Sequence, residues 1–284
     1  MLTLVRTSPV DNPDNGFKQF LENAGLSANT VSAYLSDVRK YNVTASTSNV
    51  THQHLAVAVV QESSATSSRM RRLSALAKFY AFVQPGQAAN PYLSVRRPTH
   101  GIVLPAVVST PDEARSIIAG QRALGTAVSL RTAAAVALMA GAGLRVSEVC
   151  ALRLGDLNPG SGSLRVVDGK GGKTRDVPLS DFVLEVVREY ALIAHSQRPG
   201  LQDRLIPYST RTIQRDVNAA SKATGEGRPL NPHAFRHGFA KAVYRNTTDL
   251  HLTADILGHA SVATSQIYVH LADDRRSEAV SAAL

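Results

Sequence analysis

The last fifty residues hold the side chains with a chemistry to offer. His233, Arg236 and His259 are polar groups in an otherwise apolar, helix-like region, and Tyr268 follows nine residues after His259. A phenol titrates near ~10 and is a weak nucleophile at neutral pH. It becomes useful where clustered positive charge faces an electrophile that is itself anionic, and a phosphodiester is such an electrophile. A site of this kind asks for a further cation upstream. Arg145 supplies one, in the stretch Gly141-Ala142-Gly143-Leu144-Arg145-Val146-Ser147-Glu148. Arg145 and Glu148 are three apart, which is also the spacing of a structural ion pair on a helix.

These residues need elements to position them, and the patterning predicts mostly helices. Residues 1–15 are rich in Pro, Asn and Asp and read as a loose tail. The pattern is helical from Phe17 to about Val83. Val31, Tyr34, Leu35 and Val38 recur at i, i+3, i+4 and i+7 on one helix. Thr51 is placed to cap a third helix running through Val60. A fourth spans about Thr66 to Val83, with an apolar face of Leu73, Leu76, Phe79, Tyr80 and Val83. Prolines and glycines over 84–110 read as a linker. Thr110-Pro111-Asp112-Glu113 then has the make-up of a capping box with Pro at the first helical position. Helices follow over about Val128 to Ala140 and Val146 to Leu154. Strands at 163–168 and 174–179 are joined by Gly169-Lys170-Gly171-Gly172-Lys173 as a hairpin that presents Lys170 or Lys173. Beyond Ser180 the chain reads as helices with breaks near 198–208, 225–232 and 247–249.

Composition narrows the partners. The 284 residues are 44% hydrophobic, enough for a packed core in two domains, and carry a formal net charge of +9. Ten Lys+Arg against five Asp+Glu fall in residues 1–100, so +5 of the +9 lies on about a third of the chain. That excess points to nucleic acid, with Arg69, Arg71 and Arg72 at the start of the fourth helix as phosphate contacts. A second basic helix, about Thr210 to Ala223, offers Arg211, Arg215 and Lys222. The single cysteine, Cys150, excludes an intrachain disulfide and reads as a small core residue. With no run of 18 apolar residues and no signal-peptide pattern, a soluble intracellular protein is expected, not a membrane protein.

Two tempting motifs fail on spacing. Gly171-Gly172-Lys173-Thr174 looks like the end of a phosphate-binding loop, but Val167 stands where that loop needs glycine and a strand follows instead of a helix. His233 and His237 are four apart, as metal ligands on a helix can be, but Ala234 stands where a zinc protease places glutamate and no Cys or carboxylate cluster is near. No metal site is expected.

The order of the parts is the stronger signal: Arg145, the hairpin lysine, His233-x-x-Arg236-His237, Leu257-Gly258-His259, then Tyr268. This resembles the tyrosine recombinase family, which includes phage integrases and Xer-type chromosome-dimer resolvases. Leu26-Ser27-Ala28-Asn29-Thr30-Val31-Ser32-Ala33-Tyr34 and Arg71-Arg72-Leu73-Ser74-Ala75-Leu76-Ala77-Lys78-Phe79-Tyr80 look like the core-DNA-binding domain of Xer-type members. The implied fold is mainly α with a small β-hairpin. A flexible tail covers 1–15, a helical, SAM-like core-binding domain 16–90, a linker 91–109, and an α+β catalytic domain 110–284.

The resemblance also implies a mechanism. Tyr268 attacks the scissile phosphate, leaving a 3′-phosphotyrosyl link and a free 5′-hydroxyl. Arg145 and Arg236 grip the non-bridging oxygens. Lys170 protonates the leaving oxygen, with Lys173 as the alternative and otherwise a DNA contact. His233 serves the tyrosine proton, His259 donates to the phosphate, and Glu148 orients the site. Neither ATP nor a metal nor another cofactor is implied. The implied partners are double-stranded DNA core sites, held by a homotetramer that works on two segments through a Holliday junction. Accessory DNA-bending or directionality proteins are a further class that the family admits. The setting is the bacterial cytoplasm, at the nucleoid. Residues 277–284 are expected to dock on a neighbouring protomer. The reading placed first is a phage-type integrase, because the N-terminal and linker segments match the Xer pattern loosely. A Xer-like resolvase is the alternative, and a type IB topoisomerase or a non-catalytic DNA-binding regulator stand behind it.

Overall fold

The computed structural model describes residues 13–44, 47–87, 89–97, 107–167, 174–197, 203–224, 229–258 and 266–271. They fall into two compact units, residues 1–101 and 102–284.

The first unit is helical: α1 (Pro13–Asn23), α2 (Ala28–Lys40), α3 (Asn49–Gln61), α4 (Thr66–Val83) and the short α5 (Pro91–Ser94). Ser27 caps α2 by accepting from the Thr30 N–H at 3.3 Å. Ser48, not Thr51, caps α3, accepting from the Thr51 N–H at 3.2 Å. A hydroxyl works as a cap only from the residue before the first helical turn, and Thr51 already lies inside it. The core is built from Phe17, Leu21, Val31, Val38, Leu73, Leu76 and Phe79, with the rings of Phe17 and Phe79 edge to face at 5.1 Å. Part of the proline-rich stretch read as linker belongs to this unit. Asn90 caps α5 and donates to the Ala77 carbonyl at 2.9 Å, and Tyr92 is buried with its hydroxyl 2.7 Å from His52 Nδ1. Composition reports breakers and not burial, so it could not separate this capped turn from linker.

The second unit is organised around α7 (Ala127–Gly141), whose residues 129–139 are all buried. A helix buried on every face must be surrounded. Here α6 (Pro111–Leu124), α9 (Asp181–Gln197), α10 (Thr210–Ala223) and α11 (Pro232–Thr247) pack around it. The expected capping box of α6 is present: Thr110 Oγ1 accepts from the Glu113 N–H at 3.1 Å, and Glu113 accepts from the Thr110 N–H at 2.6 Å. Helix α8 (Val146–Ala151) stops earlier than the expected Leu154. The chain there pairs backbone to backbone instead, with Leu205 N–H donating to Leu152 O and Leu154 N–H to Asp203 O, at 2.9 and 3.0 Å. Cys150 is buried, in keeping with its reading as a core residue.

The hairpin strands are β2 (Ser163–Val167) and β3 (Thr174–Pro178), antiparallel, in register from Ser163–Pro178 to Val167–Thr174. A two-residue strand, β1 (Leu157–Asn158), completes the order β1-β2-β3. It was invisible in the sequence because two residues carry no alternation to read. Leu164, Val166 and Val177 point to the core. The last elements among the described residues are α12 (Leu250–Leu257) and α13 (Gln266–Leu271). Lys170, Lys173, His259, residues 1–12 and the C-terminal residues 272–284 lie outside the described residues, while residues 13–15 of the expected 1–15 tail instead open α1.

One close approach ties the entry of this unit to its functional helix. Ser109 N–H donates to Ala234 O at 3.1 Å, and a Cβ on Gly238 would lie 2.2 Å from Ser109 O. Backbone cannot yield as a side-chain tip can. Gly238→Ala is therefore expected to cost about 1–3 kcal/mol, the usual penalty of overpacking, read as a lower urea midpoint at unchanged slope. An unchanged midpoint would show that the contact is slack.

Candidate active site

The site begins at a left-handed glycine. Gly143 has φ of 66°, and the Phe239 ring lies 2.5 Å from where its Cβ would be, so only glycine fits. The chain can then turn Leu144 into the core and place Arg145 as the N-cap of α8. Glu148 sits at the third position of that helix. Its carboxylate accepts from the Arg145 N–H and from Arg145 Nη1, both at 2.7 Å. The ion pair suggested by their spacing exists, but it is one strand of a larger net. Arg175, on β3, donates Nη1 and Nη2 to the same carboxylate at 3.1 and 3.0 Å. Arg236 Nη1 stands 3.6 Å from Glu148 Oε2. Burial alone would push the Glu148 carboxyl up; the hydrogen bonds from Arg175 and from the Arg145 main chain outweigh it and hold it below the usual carboxylate range.

Helix α11 supplies the second half. Asn231 caps it, Pro232 takes its first position, and His233, Arg236 and His237 then share one face at i, i+3, i+4. Arg236 is buried, donating Nη1 to Gly143 O and Nη2 to Leu257 O, the latter at 2.8 Å. Burial first, then the neighbouring charge of Arg145, lower its guanidinium to about 10. Arg145 is the more open of the two, 32% exposed at its side chain, with Nη2 3.4 Å from Gly258 O. His233, in the first turn of α11, is exposed; partial desolvation, then Arg236 and Arg145, hold its imidazole below its usual value.

Tyr268, on α13, is 1% exposed and packs with Ala240 and Leu257 beside Phe239, Tyr244 and Ile267. Burial raises its phenol above the usual value, while Arg236 and Arg145 pull the other way. Its hydroxyl meets His237 Nδ1 at 3.1 Å. Burial, then the charges of His233 and Arg236, push His237 down to about 4, so it is neutral near pH 7 and able to accept a hydrogen bond. The structure thus brings Arg145, Glu148, Arg236 and Tyr268 into one cluster. It adds two residues that sequence reasoning left unused, Arg175 and His237. A guanidinium two residues before the inward Val177 on a strand was the available signal for Arg175. For His237 it was the shared face with His233. Among the described residues no group of three or more His, Cys, Asp or Glu could hold a metal ion, and no helix is long and apolar enough to cross a membrane.

The arginines read as DNA contacts separate into two kinds. Arg211, Arg215 and Lys222 are exposed along one face of α10, with Arg215 paired to Asp216 at 3.1 Å. In the first unit, Arg69 donates to Val60 O and Thr66 Oγ1 at 2.7 and 3.0 Å. Arg72 is held by Glu62 and Ser64. Arg71 is bidentate to Asp37 at 2.8 and 2.9 Å, yet its side chain remains 48% exposed.

Comparison with known proteins identifies the family. Residues 108–275 match the phage integrase family, and residues 15–84 match the phage integrase N-terminal SAM-like domain. Over 261 residues the chain is 33% identical to the tyrosine recombinase XerC of Xylella fastidiosa (strain 9a5c), covering 87% of each protein. It is 28% identical to the tyrosine recombinase XerD of Bifidobacterium longum (strain NCC 2705), covering 92% of this chain and 95% of that one. Among solved structures, XerA recombinase is 26% identical with a TM-score of 0.55, over 95% of this chain and 97% of that one. The XerH site-specific recombinase, in a post-cleavage complex with difH, shares the fold at a TM-score of 0.71 and 21% identity, over 96% of this chain and 85% of that one. The match to the family model over residues 108–275, and the 33% identity to a tyrosine recombinase over 87% of the chain, make this chain a member of the tyrosine recombinase family, enzymes that cleave and rejoin DNA.

Proposed function

We propose that the chain is a site-specific recombinase of the Xer kind, resolving DNA dimers by acting as a homotetramer on two double-stranded core sites in the bacterial cytoplasm. The observation that carries the chemistry is the burial of Tyr268 against α11 beside Arg236, within reach of the charge of Arg145. In this reading Arg145 and Arg236 hold the non-bridging oxygens of the scissile phosphate, and the Tyr268 oxygen attacks phosphorus. The P–O5′ bond breaks and the leaving oxygen takes a proton from Lys170 or Lys173. His233 serves the tyrosine proton and His259 donates to the phosphate. The 3′-phosphotyrosyl link conserves the phosphodiester energy for rejoining through a Holliday junction. The resolvase reading replaces phage integration as the first choice because the XerC and XerD relatives are matched over 87% and 95% of their own lengths.

Mapping the covalent protein–DNA junction on bacterial genomic DNA identifies the site. Two copies of it are then placed in one plasmid and treated with pure protein, alone and with host extract to reveal accessory factors. Deletion between two identical sites supports the proposal. Exchange only between unlike sites indicates integration, relaxation of site-free plasmid indicates a topoisomerase, and binding without cleavage indicates a regulator.

The DNA faces have their own prediction. Each lost phosphate contact should lower the slope of log affinity against log salt by about 0.9. Arg215→Ala, at a side chain 74% exposed, is expected to do so. Arg72→Ala, which the sequence ranked equally, is expected to leave the slope unchanged, because Glu62 already occupies that guanidinium. The reverse pattern would exchange their roles.

A further inference from the structure

Arg175 has no role in the reaction as read so far, yet it is among the most committed side chains of the site. It is the second residue of β3, an outer strand whose ladder partner is β2. Its Nη1 and Nη2 take both oxygens of Glu148 at 3.1 and 3.0 Å, and its Nε donates to Ile256 O at the end of α12, at 3.1 Å. Gly258, left-handed with φ of 65°, lies so close that a Cβ there would come within 2.7 Å of Arg175 Nη1. One guanidinium therefore joins the hairpin, the start of α8 and the end of α12. At 14% exposure it is no open phosphate fork of the kind Arg145 presents.

The attachment point matters because of what hangs from it. Arg175 pairs across the ladder with Val166, one rung before Val167–Thr174, and the six residues between those two strand ends carry Lys170 and Lys173. The other ion pair near this end, Arg165 to Asp176 at 3.5 Å, joins β2 to β3 and is exposed, so it fastens the hairpin to nothing else. Val166 and Val177 press the hairpin onto the core, but apolar contact has no direction, whereas a bidentate guanidinium–carboxylate pair fixes angle and register. Removing Arg175 leaves Glu148 with both hydrogen bonds from Arg145, so the phosphate arginines keep their anchor.

We propose that Arg175 is a positioning residue that clamps the lysine-bearing hairpin to Glu148 and the end of α12, so that protonation of the leaving 5′-oxygen depends on it. The inference rests on the proposed strand-cleavage chemistry and deepens it. In that step the Tyr268 oxygen–phosphorus bond forms, the P–O5′ bond breaks, and an ammonium proton passes to O5′. A displacement of about 1 Å in a reacting group can cost on the order of 100-fold in rate.

The test uses the full chain, the mapped site, and two single-turnover suicide substrates, one with the natural 5′-oxygen and one with a bridging 5′-sulfur. A thiolate leaves without a proton. Arg175→Ala and the milder Arg175→Lys are compared with wild type, after DNA affinity and thermal midpoint confirm that each is folded. Arg175→Ala should bind DNA normally and cleave the oxygen substrate about 100-fold more slowly. It should cleave the sulfur substrate within about threefold of wild type, the signature also expected of a variant at the acid lysine. Arg175→Lys should fall between on oxygen and match wild type on sulfur. Equal slowing on both substrates would mean that Arg175 acts on the phosphate arginines or the general fold, and would overturn the proposal. So would normal cleavage of both, or sulfur rescue of Arg175→Ala without rescue of either Lys170→Ala or Lys173→Ala. If wild type itself forms no covalent adduct, the strand-cleavage reading fails, and that result is separate from any of these.

Discussion

Tyr268→Phe is expected to abolish covalent attachment to DNA, lowering adduct formation by about 10⁴-fold or more, the scale seen when a nucleophile is removed from an otherwise intact site. The substitution takes away one oxygen and keeps the ring that packs with Ala240 and Leu257. The 3.1 Å contact of the hydroxyl with His237 Nδ1 is lost with it, at a cost of about 1 kcal/mol. DNA affinity and the thermal midpoint should therefore stay close to wild type while the adduct disappears from denaturing gels. A surviving adduct would move the nucleophile elsewhere, and Tyr244, on the adjoining helix α11, is the first residue to test.

Glu148→Ala should be the most disruptive single change to the site. Its carboxylate neutralises Arg145 and Arg175 directly and stands 3.6 Å from Arg236, and both it and Arg236 are buried. Removing the only anion that the described residues place in this cluster leaves three guanidinium groups near one another, with that of Arg236 buried. A buried pair broken from one side costs about 3–5 kcal/mol, measurable as a fall in the urea midpoint, and cleavage should be lost with it. The pH dependence follows from the same net. The folded carboxyl is held below its unfolded value, so its contribution is fully present above the ordinary glutamate range, near ~4.3, and drains away as pH falls through and below that range. Wild type should lose stability on acidification through this window more steeply than Glu148→Gln. Parallel profiles would show that the carboxylate is not the linkage group.

Much of this was legible before any coordinates. Repeats at helical spacing located α2 and α4, and the Thr110–Glu113 box located the start of α6, because these are local signals. The hairpin was legible from alternation, while β1 was too short to alternate. Arg145, Glu148, Arg236 and Tyr268 could be chosen by type and order. Their distances could not, since Arg236 reaches Gly143 across 93 positions of sequence. Arg175 stayed hidden for the same reason: a strand arginine looks solvated until its carboxylate is found on another element. Arg72 shows the converse, a basic residue counted toward DNA whose pairing with Glu62 no local pattern announces.

The imbalance of charge around Glu148 has a thermodynamic consequence. Three guanidiniums share one carboxylate, and the guanidinium of Arg236 is depressed to about 10 by burial and by the repulsion of Arg145. In the proposed reaction an incoming phosphate brings a second anion to this net. Any ligand that binds only the folded state raises its apparent stability. On the proposed function, DNA is the second counterion of this site, and its binding should raise the thermal midpoint.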